Sequence, residues 1–71
     1  MNHKNMKIEI NESQPIDEIV KELERLGYKR DLVKGNSWIL CHEFGLYSCH
    51  SHDYGFSNKT TLTELKAMSN Y

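Results

Sequence analysis

The stretch SWILCHEFGLYSCHSH, from Ser37 to His52, decides the fold because two runs of β-forming residues flank a short turn. The turn residues are Glu43, Phe44 and Gly45. A two-residue type I′ turn would require a positive φ at Phe44, which is costly for an aromatic residue. A three-residue loop requires a positive φ only at Gly45, so the sequence predicts a β-hairpin with that loop.

The three-residue loop also predicts which residues of the hairpin face each other. His42 then lies opposite Leu46, and the pairs further from the turn are Cys41 with Tyr47, Ile39 with Cys49, and Trp38 with His50. Directly opposed residues point to the same side of a sheet. We therefore expect one buried face, made of Ile39, Cys41, Tyr47 and Cys49. We expect the second face to be mixed and partly exposed, with Trp38, Leu40, His42, Leu46, Ser48, His50 and His52.

The segment before the hairpin predicts a strand, a helix and a second strand. MKIEI, residues 6–10, alternates apolar and polar residues with the period of a half-buried strand. PIDEIVKELERLG, residues 15–27, predicts a helix with Pro15 in its first turn, Ser13 or Gln14 as the cap, and Gly27 at its left-handed end. Its apolar positions form one helical stripe: Ile16, Ile19, Val20, Leu23 and Leu26. YKRDLV, residues 28–33, then predicts a strand.

After the hairpin, the sequence predicts a loop and a short helix. DYGFSNK, residues 53–59, has the composition of a loop. Thr61 and Glu64 are spaced as a capping box, which opens a helix with Leu62, Leu65 and Met68 on one side. The predicted fold is α+β, in the order β-α-β-β-β-α, with one amphipathic helix packed on a small antiparallel sheet. We expect a loose segment at residues 1–5 and a single domain at residues 6–71.

Composition narrows the classes of function. The chain has 71 residues, 38% of them hydrophobic, and a formal net charge of −1, so no overall basic field attracts nucleic acid. The longest apolar run, WIL, is too short to span a membrane, and the first ten residues lack the apolar core of a signal peptide. Two cysteines in such a chain predict free thiols and a cytoplasmic location. A core this small also suggests stabilisation by a ligand, a metal or a second copy in a homodimer.

The histidines next to the hairpin raise the question of a metal site. His50 and His52 lie two apart on one strand, roughly 6.6 Å between Cα atoms, and could bind one ion together with Asp53. His42 lies roughly 13 Å further along the ladder, which is too far to join them. The cysteines point to the other face, and no C-x-x-C pair is present. This segment is therefore either a zinc site or a hairpin with surface histidines and buried thiols.

The two cysteines do not predict a disulfide or a catalytic site. Cys41 and Cys49 are diagonal neighbours in the predicted register, roughly 7–8 Å apart, which is beyond comfortable disulfide reach. A cysteine nucleophile with a histidine base would need a third orienting group and a pocket that excludes water. We assign no catalytic residues and predict a non-enzymatic protein.

Aromatic residues in the hairpin and the following loop suggest a partner-binding surface. Trp38 forms an apolar patch with Leu40 and Leu46 on the second face of the hairpin. This patch either binds a partner or is covered as part of the core. Because tryptophan and tyrosine dominate binding hot spots, the predicted partner-binding residues are Trp38, Phe44, Tyr54 and Phe56. Tyr54 and Phe56 could instead stack nucleic-acid bases with Lys59 nearby, although the other basic residues are scattered.

Three motifs together carry a resemblance: LGY at residues 26–28, EFGLYS at residues 43–48 and TLTELKAM at residues 61–68. The chain resembles small uncharacterised proteins of tailed bacteriophages and prophages, which share a helix ending in Leu-Gly-Tyr, a hairpin and a closing Thr-Leu-Glu-Glu-Leu-Lys. The usual Asp-Gly turn is replaced here by EFG, and CHSHD lies outside the pattern. The resemblance implies a phage or mobile-element origin and an accessory role, and it transfers no catalytic or ligand residue.

From these observations we expect a non-enzymatic accessory protein that binds a host or phage protein. More specifically, we expect it to inhibit a host defence or regulatory protein. We expect it to need no cofactor. One alternative is a small-ligand module that holds zinc or a nucleotide signal through His50, His52 and Asp53. The second alternative is nucleic-acid binding.

Overall fold

The fold is described by a computed structural model over residues 5–56 and 58–68. Its elements, in chain order, are β1 (Met6–Glu9), α1 (Ile16–Arg25), β2 (Lys29–Val33), β3 (Trp38–His42), β4 (Leu46–His50), β5 (Lys59–Thr60) and α2 (Leu62–Ala67). This confirms the α+β class and the predicted order of elements. β5, a strand of two residues, lies in the segment that the sequence predicts as a loop.

The hairpin of β3 and β4 forms the centre of the sheet and has the predicted register. His42 pairs with Leu46, and the remaining pairs run outward to Trp38 with His50. Gly45 has a φ of 89°, and its N–H donates to the carbonyl of His42 at 2.9 Å, as the three-residue loop requires. The turn chemistry of three residues was therefore enough to fix the hairpin.

The complete sheet is mixed, whereas the sequence predicted an antiparallel one. The strand order is β2-β4-β3-β1-β5. The three central strands are antiparallel to one another, β1 with β3 and β3 with β4, but each edge strand runs parallel to the strand beside it, β2 to β4 and β5 to β1. The parallel edges follow from the connections, because parallel neighbours require long crossovers. α1 carries the chain from β1 to the far edge of the hairpin, and residues 51–58 carry it back beside β1.

α1 covers one side of the sheet, which we call the helix face. Ile19 and Leu23 of the predicted stripe are completely buried there against the strands. The helix ends as predicted at Gly27, whose φ is 94°. The N–H groups of Gly27 and Tyr28 donate to the carbonyls of Glu24 and Leu23, which is the Schellman pattern. Tyr28 thereby starts the next segment inside the core.

The beginning of α1 differs from the prediction. Pro15 itself is the N-cap, and neither Ser13 nor Gln14 makes a side-chain capping bond. Instead, the side-chain oxygen of Asn11 accepts the backbone N–H groups of Ser13 and Gln14 at 2.9 and 3.0 Å. Such an Asx turn uses the polar residues before the helix to reverse the chain. The turn places Pro15 at the start of the helix, where its carbonyl accepts the N–H groups of Glu18 and Ile19 at 3.1 and 3.2 Å.

α2 begins with the predicted capping box. The hydroxyl of Thr61 accepts the N–H of Glu64 at 3.2 Å, and the Glu64 carboxylate accepts the N–H of Thr61 at 3.0 Å. The side chain of Gln14 also accepts the N–H of Leu62 at 2.8 Å, which ties the start of α2 to the loop before α1. Leu62 and Leu65 complete the core at this end.

The predicted loose segment, residues 1–5, lies largely outside the described residues. Asn5 belongs to the described part and is tied to two neighbours. Its side-chain oxygen accepts the N–H of Glu43 at 2.8 Å, and its carbonyl accepts the side-chain N–H of Asn58 at 3.1 Å. Within the described ranges, neither helix has the length and apolar character needed to cross a membrane.

Candidate protein-binding surface

The helix face of the hairpin is core and presents no accessible reactive group. Cys41 and Cys49 are free thiols, each at most 2% exposed, and burial raises the pKa of both. Tyr47 is fully buried, and its hydroxyl donates to the Glu24 carboxylate at 2.8 Å. Burial and this hydrogen bond raise the pKa of Tyr47 to about 12. All three groups therefore stay protonated and act as packing elements near neutral pH.

The opposite side of the sheet, which we call the outer face, is covered at its centre by residues 51–56 of the loop after β4. Leu40 and Ser48 are each only 2% exposed, although no helix lies on this side within the described residues. The loop is held down by Asp53, whose carboxylate accepts from the Lys7 ammonium at 2.8 Å. This hydrogen bond, with one from the N–H of Gly55, lowers the pKa of Asp53. The loop therefore has a defined position over the strands.

Residues 53–56 form a tight turn that exposes an aromatic side chain. The N–H of Phe56 donates to the carbonyl of Asp53 at 3.0 Å. Tyr54 and Gly55 have φ values of 49° and 80°, so the turn has the positive-φ character of type I′. A non-glycine residue in this region costs on the order of 1–3 kcal/mol, and such strain concentrates at functional sites. Here the strain is at Tyr54, whose side chain is 65% exposed.

Four side chains of the hairpin and the loop lie near the hairpin turn, and we call them the aromatic surface: His42, Phe44, Tyr54 and Phe56. The rings of Phe44 and His42 are stacked, with centroids 5.1 Å apart and an angle of 14° between planes. Phe56 approaches the same imidazole edge-on at 5.5 Å. His42 therefore links the exposed ring of Phe44 to the loop. Phe56 and Tyr54 then line one groove together.

That groove, which we call the β2 groove, lies between β2 and the turn at residues 53–56 and has a volume of about 430 Å³. Leu40 and Ser48 are part of its lining from the central hairpin. Leu32 and Lys34 contribute from the side of β2, and Tyr54 and Phe56 from the loop. A second opening of about 510 Å³ lies on the other side of Phe56, between that ring and Phe44. The aromatic surface therefore separates two concave regions.

Trp38 lies apart from the aromatic surface, although it belongs to the predicted partner-binding set. Its side chain is half-buried, and the ammonium groups of Lys7 and Lys59 lie 5.3 and 6.0 Å from its ring centroid. Lys7 is paired with Asp53, and Lys59 lies 3.8 Å from the Glu9 carboxylate. The structure thus brings Phe44, Tyr54 and Phe56 together and leaves Trp38 under a separate group of paired charges.

The proposed metal ligands are only partly brought together. The rings of His50 and His52 both contact Tyr54, at centroid distances of 5.1 and 6.0 Å. Asp53 is already bound to Lys7 and to the N–H of Gly55. In the part of the chain that the structure describes, no three His, Cys, Asp or Glu side chains are grouped to hold an ion. Zinc binding by His50, His52 and Asp53 stays a prediction. Because Asp53 is occupied by Lys7 and Gly55, the two imidazoles would be the main ligands.

His50 is in an unusual environment for a histidine. Its Nδ1 is buried and has no hydrogen-bond partner among the described residues. Burial, with the nearby charges of Lys34 and His42, lowers the pKa of His50. The imidazole is therefore neutral at physiological pH and belongs to the outer face as a packing group.

Two residues of the surface were missed by the reasoning from sequence. His42 was placed on the second face of the hairpin and was judged too far from His50 and His52 to bind metal with them, but it was not predicted as a binding residue. Its place two residues before Phe44 at the turn was a signal for ring stacking. Leu32 was assigned only to a strand. Its place in the groove depends on an irregularity of β2, between Arg30 and Val33, which no sequence pattern announced.

No protein-family model matches the chain, and the comparisons with curated proteins and with solved structures give no match either. The resemblance to phage and prophage proteins stays a prediction that rests on its three motifs.

Proposed function

We propose that this protein is a non-enzymatic binding domain that captures another protein through its aromatic surface. The observation that carries this proposal is the exposure of Phe44 and Tyr54, which leave 71% and 65% of their surface to solvent. Covering an exposed aromatic ring with a partner removes apolar surface from water, which favours binding. Aromatic residues are also enriched at the centres of interfaces.

The backbone beneath these two rings supports the proposal. Phe44 is presented by the hairpin loop and is stacked on His42, and Tyr54 is presented by a hydrogen-bonded turn. Side chains that are already ordered lose less conformational entropy when they bind. The strain at Tyr54 is a further reason to connect this turn with binding rather than with stability.

The partner in the leading version of this proposal is a host or phage protein, and the specific version is inhibition of a host defence or regulatory protein. The phage-like motifs and the small size of the chain support this version. Binding alone would suffice for inhibition if the partner's working surface were covered. We assign no catalytic role to any residue of the aromatic surface.

The test is a comparison of three baits in an affinity capture from a lysate of the source cell. The baits are the wild-type protein, the double variant Phe44→Ala/Tyr54→Ala and the control Lys21→Ala, which changes an exposed residue of α1. We expect the wild type and the control to capture the same protein, and the double variant to retain at least tenfold less of it. Equal capture by all three baits would show that the aromatic surface is not the binding site.

A stability measurement keeps this test interpretable. Since Phe44 and Tyr54 are mostly exposed, their replacement removes little buried area and should shift the urea unfolding midpoint only slightly. Native mass spectrometry of wild-type protein purified without chelator separates the small-ligand alternative. A zinc or nucleotide adduct that disappears in His50→Ala/His52→Ala would support that alternative instead.

A further inference from the structure

The edge of the sheet beside the β2 groove is open as far as residues 5–56 and 58–68 are concerned. Among them, β2 is the last strand in the sheet order and pairs only with β4. The N–H groups of Lys29 and Lys34 donate to the carbonyls of Gly45 and Cys49, so they point toward the hairpin. Because successive residues of a strand direct their backbone groups to opposite sides, the N–H and C=O of Arg30 and Val33 point to the open edge.

An irregularity in β2 connects this edge to the groove. The pairing with β4 shifts between Arg30 and Val33, so one residue more lies on β2 than on β4. Val33 pairs with Cys49 of the helix face, whereas Asp31, Leu32 and Lys34 line the β2 groove on the outer face. The bulge thus places Leu32, which is 47% exposed, in the wall of the groove.

The groove is a shallow depression that is open to solvent and has a mixed lining of apolar and polar side chains. Leu32, Leu40, Tyr54 and Phe56 supply its apolar lining. A strand added at an exposed edge places alternate side chains over the same face of the sheet. One such side chain would reach this groove.

The charges of β2 indicate the chemistry of the added strand. Lys29, Arg30 and Lys34 are exposed cations, and Asp31 is the single carboxylate among residues 29–34. Within residues 5–56 and 58–68, none of these four side chains is in an ion pair. A second copy of β2 would bring the same cations together and would be repelled, whereas an acidic segment would be attracted.

We propose that β2 receives an extended acidic segment of a partner protein as an added edge strand, with one apolar side chain of that segment inserted in the β2 groove. This inference rests on the proposed protein-binding function and names the form of the partner. Backbone hydrogen bonds to Arg30 and Val33 hold the segment, and the groove and the cations select its sequence. Tyr54 and Phe56 belong to both the groove and the aromatic surface, so the two binding regions are continuous.

The test uses a phage-displayed library of random twelve-residue peptides as the probe, selected on the full chain. We expect enriched peptides that are acidic and alternate apolar residues with others. Peptides made from them should lose more than tenfold in affinity for Val33→Pro, which removes an N–H at the open edge, and for Arg30→Glu. The matched control Val33→Thr keeps the N–H and should bind like the wild type.

Hydrogen exchange provides a readout that does not depend on the folding of Val33→Pro. In the wild type, the amides of Arg30 and Val33 should become protected from exchange when a selected peptide is added. Unchanged exchange at both amides would overturn the proposal. So would a library that yields basic peptides, binding of a single-stranded oligonucleotide in place of peptides, or a concentration-dependent dimer that Val33→Pro abolishes.

The two proposals fail in different ways. If Arg30→Glu and Val33→Pro capture the lysate partner as well as the wild type, while Phe44→Ala/Tyr54→Ala does not, strand addition is wrong and the aromatic surface stands. If the double variant also captures normally, the proposed function itself is wrong.

Discussion

The two faces of the same hairpin are both buried, but by different parts of the chain. On the helix face, Ile39 is completely covered by α1 and its neighbours. On the outer face, Leu40 is equally covered, but by an irregular loop whose central anchor is the ion pair between Lys7 and Asp53. A helix hydrogen-bonds its own backbone and forms a rigid cover, whereas a loop can shift. We therefore expect the loop to be the softer of the two covers, although both bury the hairpin equally.

The largest expected effect tests this difference directly by truncating one side chain on each face. Ile39→Ala should lower the free energy of unfolding by about 4 kcal/mol, because the helix and strands around it cannot close the cavity. Leu40→Ala should cost about 2 kcal/mol, at the low end for such truncations, since the loop above it can settle into the space. Urea unfolding of both variants measures the two values. An equal or larger cost for Leu40→Ala would mean that the loop is as rigid as the helix.

A smaller effect is expected at the point where the outer loop leaves β4. A Cβ atom on Gly35 would overlap the backbone nitrogen of Ser51 and would lie 2.6 Å from the carbonyl carbon of His50. Gly35→Ala should therefore destabilise the fold by about 2–3 kcal/mol through overpacking. Ser51→Gly should not rescue it, because the obstructing backbone atoms remain.

Gly55 in the same loop is the matched control. Its φ is +80°, but no atom of the described residues lies within 4 Å of an added Cβ, so backbone strain is what opposes the change. Gly55→Ala should cost about 1–2 kcal/mol in unfolding experiments. If Gly55→Ala were the more damaging variant, close backbone contact would not be what secures the start of the loop.

The smallest expected effect is a pH dependence that only the outer face should show. The pKa of His50 is lower in the fold than in the unfolded chain, so the unfolded state binds the proton more readily. The contribution of His50 to stability is therefore complete above about pH 6.5 and is lost as the pH falls toward the folded pKa. Urea midpoints between pH 7.5 and 5 should decrease for the wild type.

Two variants test whether His50 causes this pH dependence of stability. His50→Asn should flatten part of the decrease, whereas His52→Asn, at an exposed position, should leave the slope unchanged. Identical slopes in the wild type and His50→Asn would show that other groups cause the dependence. The thiols and Tyr47 on the helix face do not titrate in this range because their pKa values are raised.

Much of the fold could be predicted because its signals are local. Gly45 decided the hairpin loop, and with it the register of all five pairs of β3 and β4. Gly27 and the pair of Thr61 with Glu64 marked one end of each helix. In each case the conformation depends on residues within a few positions of one another.

The candidate surface could be predicted only in part. Phe44, Tyr54 and Phe56 were chosen as aromatic residues outside regular core patterns. The structure places Phe44 and Phe56 against His42, and Tyr54 lines a groove with Phe56. Trp38 was placed with them because it shares the outer face, but Lys7 and Lys59 lie over its ring instead. Which side chains meet on a face depends on how the loop crosses it, and that path is set by a contact between residues 7 and 53.

The class of fold, the hairpin register and the two faces of the hairpin could be predicted from the amino-acid sequence alone. Turn and cap chemistry acts over a few residues, and the period of a strand is fixed by its backbone. The parallel edges, the path of residues 51–56 and the bulge that places Leu32 in the groove are defined only in the folded chain. These features depend on contacts between distant segments, whose net energies become defined only when the whole core packs.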